Sequence, residues 1–158
     1  MLYTWALTSE LRFTYNIFMK KKRLCLNCRS VLGPRHKVIY CSNKCQIQLN
    51  HKIWVESWRN GKNDGSIGIT VKTISGHIKR YLRNKYNNKC SSCGWNKKHI
   101  ITGVIPLEID HVDGNSDNNR EENLRLLCTN CHSLTPYFKN LNKGNGRKWR
   151  MNKYIRNT

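Results

Sequence analysis

Acidic residues are scarce in this chain: nine Asp and Glu stand against 29 Lys and Arg, giving a formal net charge of +20. So one-sided a balance favours polyanionic partners, through counterion release and long-range steering. Nucleic acid is the first expectation, an anionic membrane surface the second. Long apolar runs are also missing. None approaches the ~20 residues of a membrane-spanning helix, so no membrane span is expected. Hydrophobic residues make up 38% of the 158, too few for a large core, and thin cores usually need staples. The N-terminal stretch lacks the basic start and small-residue cleavage site of a secretory signal. Met19 is followed at once by "KKKR", and we expect translation to begin there, leaving residues 1–18 outside the fold.

The few acids are unevenly spread. None lies between Asp64 and Glu108, whereas Glu108, Asp110, Asp113, Asp117, Glu121 and Glu122 crowd into one segment. Such a concentration in a basic protein suggests a held cation; the alternative is a solvated acidic loop.

What is abundant is cysteine. The eight form four close pairs: Cys25 and Cys28 in "CLNC", Cys41 and Cys45 in "CSNKC", Cys90 and Cys93 in "CSSC", and Cys128 and Cys131 in "CTNC". A Cys-x-x-Cys turn aims two thiolates at one tetrahedral ion, and two pairs fill all four positions. Two structural zinc ions are therefore expected, lowering the charge to about +16. A disulfide framework is the alternative, and nothing in the sequence indicates the oxidising compartment it would need. His36, His51, His77 and His99 are not required as ligands.

Along the chain, residues 1–23 read as an extension and 24–60 as a zinc module followed by a helix. That helix, 44–59, carries Ile47, Ile53, Trp54 and Trp58 at roughly helical spacing as a core stripe. Residues 61–72 read as a Gly/Asn-rich linker. A second helix is expected over 73–87, burying Ile74, Ile78, Tyr81, Leu82 and Tyr86. Its other face presents Lys79, Arg80, Arg83 and Lys85, either a solvated face or, with no acids between them, one for phosphate contact. Residues 104–111 alternate as a strand, "DGNSDNN" turns the chain, and Asn123 to Cys128 returns as a second strand. His132 then opens a short helix that Pro136 must end or kink. The compact domain would span 73–140, followed by a basic arm, 141–158, with Lys143, Arg147, Lys148 and Arg150 as further DNA contacts.

Between the strands and the short helix sits a set suited to phosphodiester hydrolysis. The reaction needs a base for water, a cation for the phosphate and departing oxygen, and something to hold the base. His111 suits a base near neutral pH. Asp110 is a hard oxygen ligand, His132 can approach the same ion, and Asn123 can bridge to the loop and fix His111. Neighbours in a strand point to opposite faces, so Asp110 and His111 can share a site only where the strand ends or bulges.

The segment "PLEIDHVDGNSDNNREENLRLLCTNCHSLT" resembles the HNH endonuclease motif, of the subtype braced by two Cys-x-x-Cys pairs. "RYLRNKYNNKCSSCGW", "CLNC…YCSNKC" and "KNLNKGNGR" resemble segments of phage and mobile-element enzymes of this family. The resemblance implies a small α+β fold: a ββα-metal nuclease core braced by a four-cysteine zinc, preceded by an N-terminal four-cysteine zinc module and helices. It implies His111 as general base, Asn123 as the N of the motif, and Asp110 and His132 as ligands of one catalytic divalent metal, magnesium or manganese. Pro136 departs from the polar residue expected there. The implied activity is metal-dependent, homing-type cleavage of double-stranded DNA in the cytoplasm of a bacterial host; a non-catalytic zinc-containing DNA-binding protein is the alternative.

Overall fold

The structure is a computed structural model and describes residues 23–33, 39–68 and 72–142. The expected start at Met19 and the arm residues Lys143, Arg147, Lys148 and Arg150 lie outside the described residues, as does His36. The chain divides into two compact units, Met1–Asn50 and His51–Thr158. Among the described residues, no helix is long and apolar enough to cross a membrane.

The first unit is built on its cysteines. Cys25 is fully buried, with Leu32 and Cys45 around it and Tyr40 packed alongside. A tight turn carries the first pair: the Cys25 amide donates to Ser30 O (2.9 Å) and the Arg29 amide to Cys25 O (2.9 Å). Helix α1 (Asn43–Arg59) starts here and continues into the second unit.

In the second unit a short hairpin comes first, β1 (Ser66–Ile67) against β2 (Thr73–Ile74), antiparallel. It occupies the end of the stretch read as linker and the start of the one read as helix. Helix α2 is therefore shorter than the sequence suggests, Gly76–Lys85, because Ser75 caps it. The Ser75 backbone is extended and its hydroxyl accepts from the His77 amide (3.2 Å), satisfying a donor the helix leaves open. Strand β3 (Leu107–His111) then pairs antiparallel with β4 (Leu124–Cys128), Leu107 opposite Cys128 and His111 opposite Leu124. Helix α3 (Thr129–Ser133) follows without a gap. It stops before Pro136, since a proline disfavours helical geometry in the residue before it.

Two apolar clusters hold this unit. Val55 and Trp58 of α1 meet Ile78 and Leu82 of α2 and Leu124 of β4. Leu107, Leu126 and Leu127 pack around Cys90 and Cys128. The stripe expected on α1 is corrected in part: Trp58 is buried and Trp54 packs beside it, but Ile47 and Ile53 are exposed. Ile53 lies two residues from Val55 and so faces away from it. Ile47 belongs to the first unit. Gly65 sits where nothing larger fits: its φ is +75°, and a Cβ would lie 2.6 Å from Ile78 Cδ1 and 2.9 Å from Trp58 Nε1.

Candidate active site

The β3–β4 hairpin and α3 build the site from local chemistry. Residues two apart on a strand share a face, so Glu108 and Asp110 project from the same side of β3. His132, on α3, lies opposite them. Its Nε2 is 3.5 Å from Asp110 Oδ1, and its Nδ1 pairs with Glu108 Oε2. Asp110 is buried, and its other oxygen accepts from Arg125 Nε at 2.7 Å. Arg125 is its cross-strand partner in the register. One Asp110 oxygen is thus clamped and the other left facing the imidazole.

This donor set suits a divalent ion. With bonds of about 2.0–2.2 Å, adjacent ligands of one octahedral ion stand about 3 Å apart, and the Asp110–His132 spacing of 3.5 Å lies within a small side-chain adjustment of that. Glu108 supplies the outer partner: by holding Nδ1 it fixes the ring with Nε2 turned toward Asp110, where a lone pair would face a bound ion. Phe138 packs edge-on against the same ring, centroids 5.2 Å apart.

His111 ends β3, and the Gly114 amide donates to its carbonyl (2.9 Å) as the turn begins. No bulge precedes it; the strand stops there, and the register is regular to the last pair. The ring is held by Asn119, whose Oδ1 lies 3.0 Å from Nε2. Asn119 is itself fixed from behind. Its Nδ2 donates to Asp64 O (3.2 Å), and its carbonyl accepts from buried Trp58 Nε1 (2.8 Å). Asn123, expected to bridge to the loop and to fix the His111 ring or backbone, makes the bridge, and its carbonyl accepts from the Val112 amide (2.9 Å) beside His111. Its Nδ2 donates to Asp113 Oδ1 (2.8 Å) and Asn118 O (2.7 Å), and its Oδ1 accepts from the Asp113 amide (3.0 Å). Asp113 titrates below its ordinary value: burial pushes it up, but hydrogen bonds from Asn118, Asn115 and Asn123 outweigh that.

Behind the hairpin, Glu121 gathers three partners: Arg59 Nε (2.7 Å), Lys85 Nζ (2.6 Å) and the Tyr81 hydroxyl (2.5 Å). Lys85, expected on a phosphate-contacting face, is thereby paired within the protein. Arg83 donates to Ile105 O (3.3 Å), while Lys79 and Arg80 stand exposed.

Both cysteine sets close into groups whose sulfurs all lie within 4.8 Å of one another, Cys25/Cys28/Cys41/Cys45 and Cys90/Cys93/Cys128/Cys131. Tetrahedral zinc with bonds of about 2.3 Å requires sulfurs about 3.8 Å apart. Cys93–Cys128 at 3.8 Å and Cys28–Cys41 at 3.5 Å fit. The ionisation pattern points the same way. In the first set the Cys28 amide helps hold the Cys25 thiol at about 6, whereas neighbouring Cys45 and Cys28 push Cys41 up to about 12. In the second, Cys90 is held at about 6: burial pushes it up, but amide donors from Cys128 and Cys93 outweigh that. Cys131 is raised to about 12 by Cys93 and Cys128. Four thiolates in contact repel one another, and a divalent cation removes that penalty. The second set is locked to the hairpin, the Ser91 amide donating to Leu126 O (2.8 Å).

Asn119 and Arg125 are not read from the sequence as site residues, and Glu108 only as one of the clustered acids. Glu108 and Arg125 carried a usable signal, the first by strand parity with Asp110 and the second by position in the returning strand. Asn119 carried none, because it lies in an Asn-rich turn whose contacts are distant in sequence.

Residues 90–135 match the family model described as HNH endonuclease. The chain is 36% identical over 113 residues to H-N-H endonuclease F-TflIV of Escherichia phage T5, covering 72% of this chain and 45% of that protein. It is 31% identical over 80 residues to Zorya protein ZorE of Escherichia coli, covering 47% of this chain and 21% of that protein. The chain thus spans less than half the length of these curated relatives. No solved structure matches it.

Proposed function

We propose, from the premise that this chain carries an HNH endonuclease domain, that it is a metal-dependent endonuclease hydrolysing phosphodiester bonds of double-stranded DNA. The observation that carries the reading is the meeting of Asp110 and His132 at 3.5 Å, with His111 ending the same strand. A zinc or DNA-binding role alone requires none of these three.

When bound between Asp110 and His132, a divalent ion, magnesium or manganese, would neutralise charge on the phosphate and the departing oxygen. The remaining work falls to the protein. His111 takes a proton from water at Nδ1, because Asn119 Oδ1 accepts and Nε2 therefore carries the hydrogen of that contact. Asn119 positions the ring. Asn123 braces the turn that fixes where β3 stops. Arg125 keeps Asp110 aimed, and Glu108 keeps His132 turned. The two four-cysteine sets hold structural zinc. Lys79 and Arg80 on α2, with the 141–158 arm, supply phosphate contacts. One such site cuts one strand, so a single copy nicks or cuts the two strands in sequence. The likeness to a phage protein supports a homing-type enzyme working in a bacterial host's cytoplasm.

The test is supercoiled plasmid incubated with zinc-loaded protein and Mg²⁺ or Mn²⁺. Relaxed circles should form with the wild type. His111→Ala should reduce the rate by about 100-fold or more. Equal rates in both proteins would remove His111 as the base. No nicking under any divalent ion, together with tight DNA binding, would establish the non-catalytic alternative.

A further inference from the structure

We propose that the loop between the Cys90/Cys93 turn and β3 is an apolar wedge for duplex DNA, with Ile100 and Ile101 as its tip. This rests on the reading of DNA as substrate and adds a contact that deforms it. Ile100 is 96% and Ile101 86% exposed, more than any other large hydrophobic among the described residues. A single exposed apolar residue is ordinary. Two in succession on the tip of an ordered loop are not.

The loop is held in shape by its own polar groups. The His99 amide donates to Val104 O (2.9 Å) and the Gly103 amide to His99 O (2.9 Å), closing its neck. His99 Nδ1 accepts from the amides of both Ile101 and Thr102 (3.3 Å each), and Thr102 Oγ1 accepts from the Val104 amide (3.4 Å). Gly103, at φ +65°, supplies the left-handed turn. The two isoleucines are therefore presented before any partner arrives, which reduces the ordering cost of contact.

The surroundings select the partner. Exposed Lys97 and Lys98 precede the tip, and no acid occurs between Asp64 and Glu108. Arg83 of α2 donates to Ile105 O at the base of the loop, joining the basic helix to it. A second copy of so basic a chain would be repelled; a polyanion with an apolar interior would not. Isoleucine is among the side chains that proteins insert between base steps to unstack and kink a duplex. The reach also fits. From Ile101 to Asp110 nine residues of chain span at most ~32 Å, about nine base-pair rises of 3.4 Å. One duplex can meet the tip and the cutting site together.

The experiment uses full-length, zinc-loaded protein carrying His111→Ala, so that bound DNA stays uncut. Binding to end-labelled duplexes of about 30 base pairs is followed by anisotropy, and bending by energy transfer between the ends. The parent should bind and bring the ends together. Ile100→Ser/Ile101→Ser should bind about 10- to 100-fold more weakly and leave the ends apart at saturation, with unchanged zinc content and circular dichroism. Lys97→Gln/Lys98→Gln should weaken binding and flatten its salt dependence, yet still bend the DNA. If the isoleucine variant binds and bends like its parent, the wedge is wrong while the DNA reading stands. If the parent binds no duplex, both fall. Loss of a concentration-dependent dimer in the isoleucine variant, with DNA binding intact, would assign the tip to a second copy instead.

Discussion

Glu121→Gln should destabilise the second unit measurably, and the structure fixes both size and sign. The carboxylate is held at about 2 against an ordinary 4.5: its burial pushes the value up, and Lys85, Tyr81 and Arg59 more than offset that. Taken at face value this is about 3 kcal/mol. Arg59 and Lys85 are more than a third exposed, so solvent screening reduces the expectation to about 1–2 kcal/mol. A depressed carboxylate contributes fully above its unfolded value and loses that contribution as pH falls toward its folded one. The gap between wild type and variant should therefore stay constant between about pH 6 and 8, and shrink in high salt. Urea unfolding of zinc-saturated protein, followed by tryptophan fluorescence, measures it. A gap below about 0.5 kcal/mol at low salt would mean that Glu121 does not tie the two helices to the turn before β4.

Cys93→Ser should release the second metal and unfold the hairpin unit, since the ion is coupled to folding; metal analysis and circular dichroism report both, and a folded variant retaining two zinc ions would contradict it. Gly65→Ala should cost about 2–4 kcal/mol, through the left-handed backbone and the contacts with Ile78 and Trp58; an unchanged urea midpoint would refute the packing described. His51 is buried, stacks on His77, and shares a 3.0 Å Nδ1–Nδ1 contact with it. Burial first, then Arg80 and His77, hold its imidazolium below the ordinary 6.5. Its contribution to stability is therefore present above about 6.5 and lost as pH falls toward the folded value. His51→Phe should flatten the wild type's decline between about pH 7 and 6; parallel curves would refute it.

The chemistry was more legible in the sequence than its support was. Cys90, Cys93, Cys128 and Cys131 declare themselves by spacing, because a short turn between two thiols is already half of a metal site. Asp110 and His132 could be paired because a hairpin followed directly by a helix leaves few other places for them. Periodicity misled where neighbours decide: Ile47 and Ile53 read as part of the stripe but stand exposed among the described residues. It misled again at Thr73 and Ile74, where pairing with Ser66 and Ile67 outweighed the helix pattern. The clamp on His111 was hidden for a different reason. Asn119 is fixed by Asp64 and Trp58, more than fifty residues away, and no local signal reports such a contact.

Cys128 closes β4, grips the metal set and caps α3, its sulfur accepting from the Cys131 amide. A zinc ion held there would work as a ratchet pawl for the hairpin. Sliding β4 by a single notch would turn Arg125 away from Asp110 and drag a sulfur out of the cluster, so misregistered chains cannot be locked in. Lengths can drift in the Asn-rich turn, but the count from Leu124 to His132 admits no insertion.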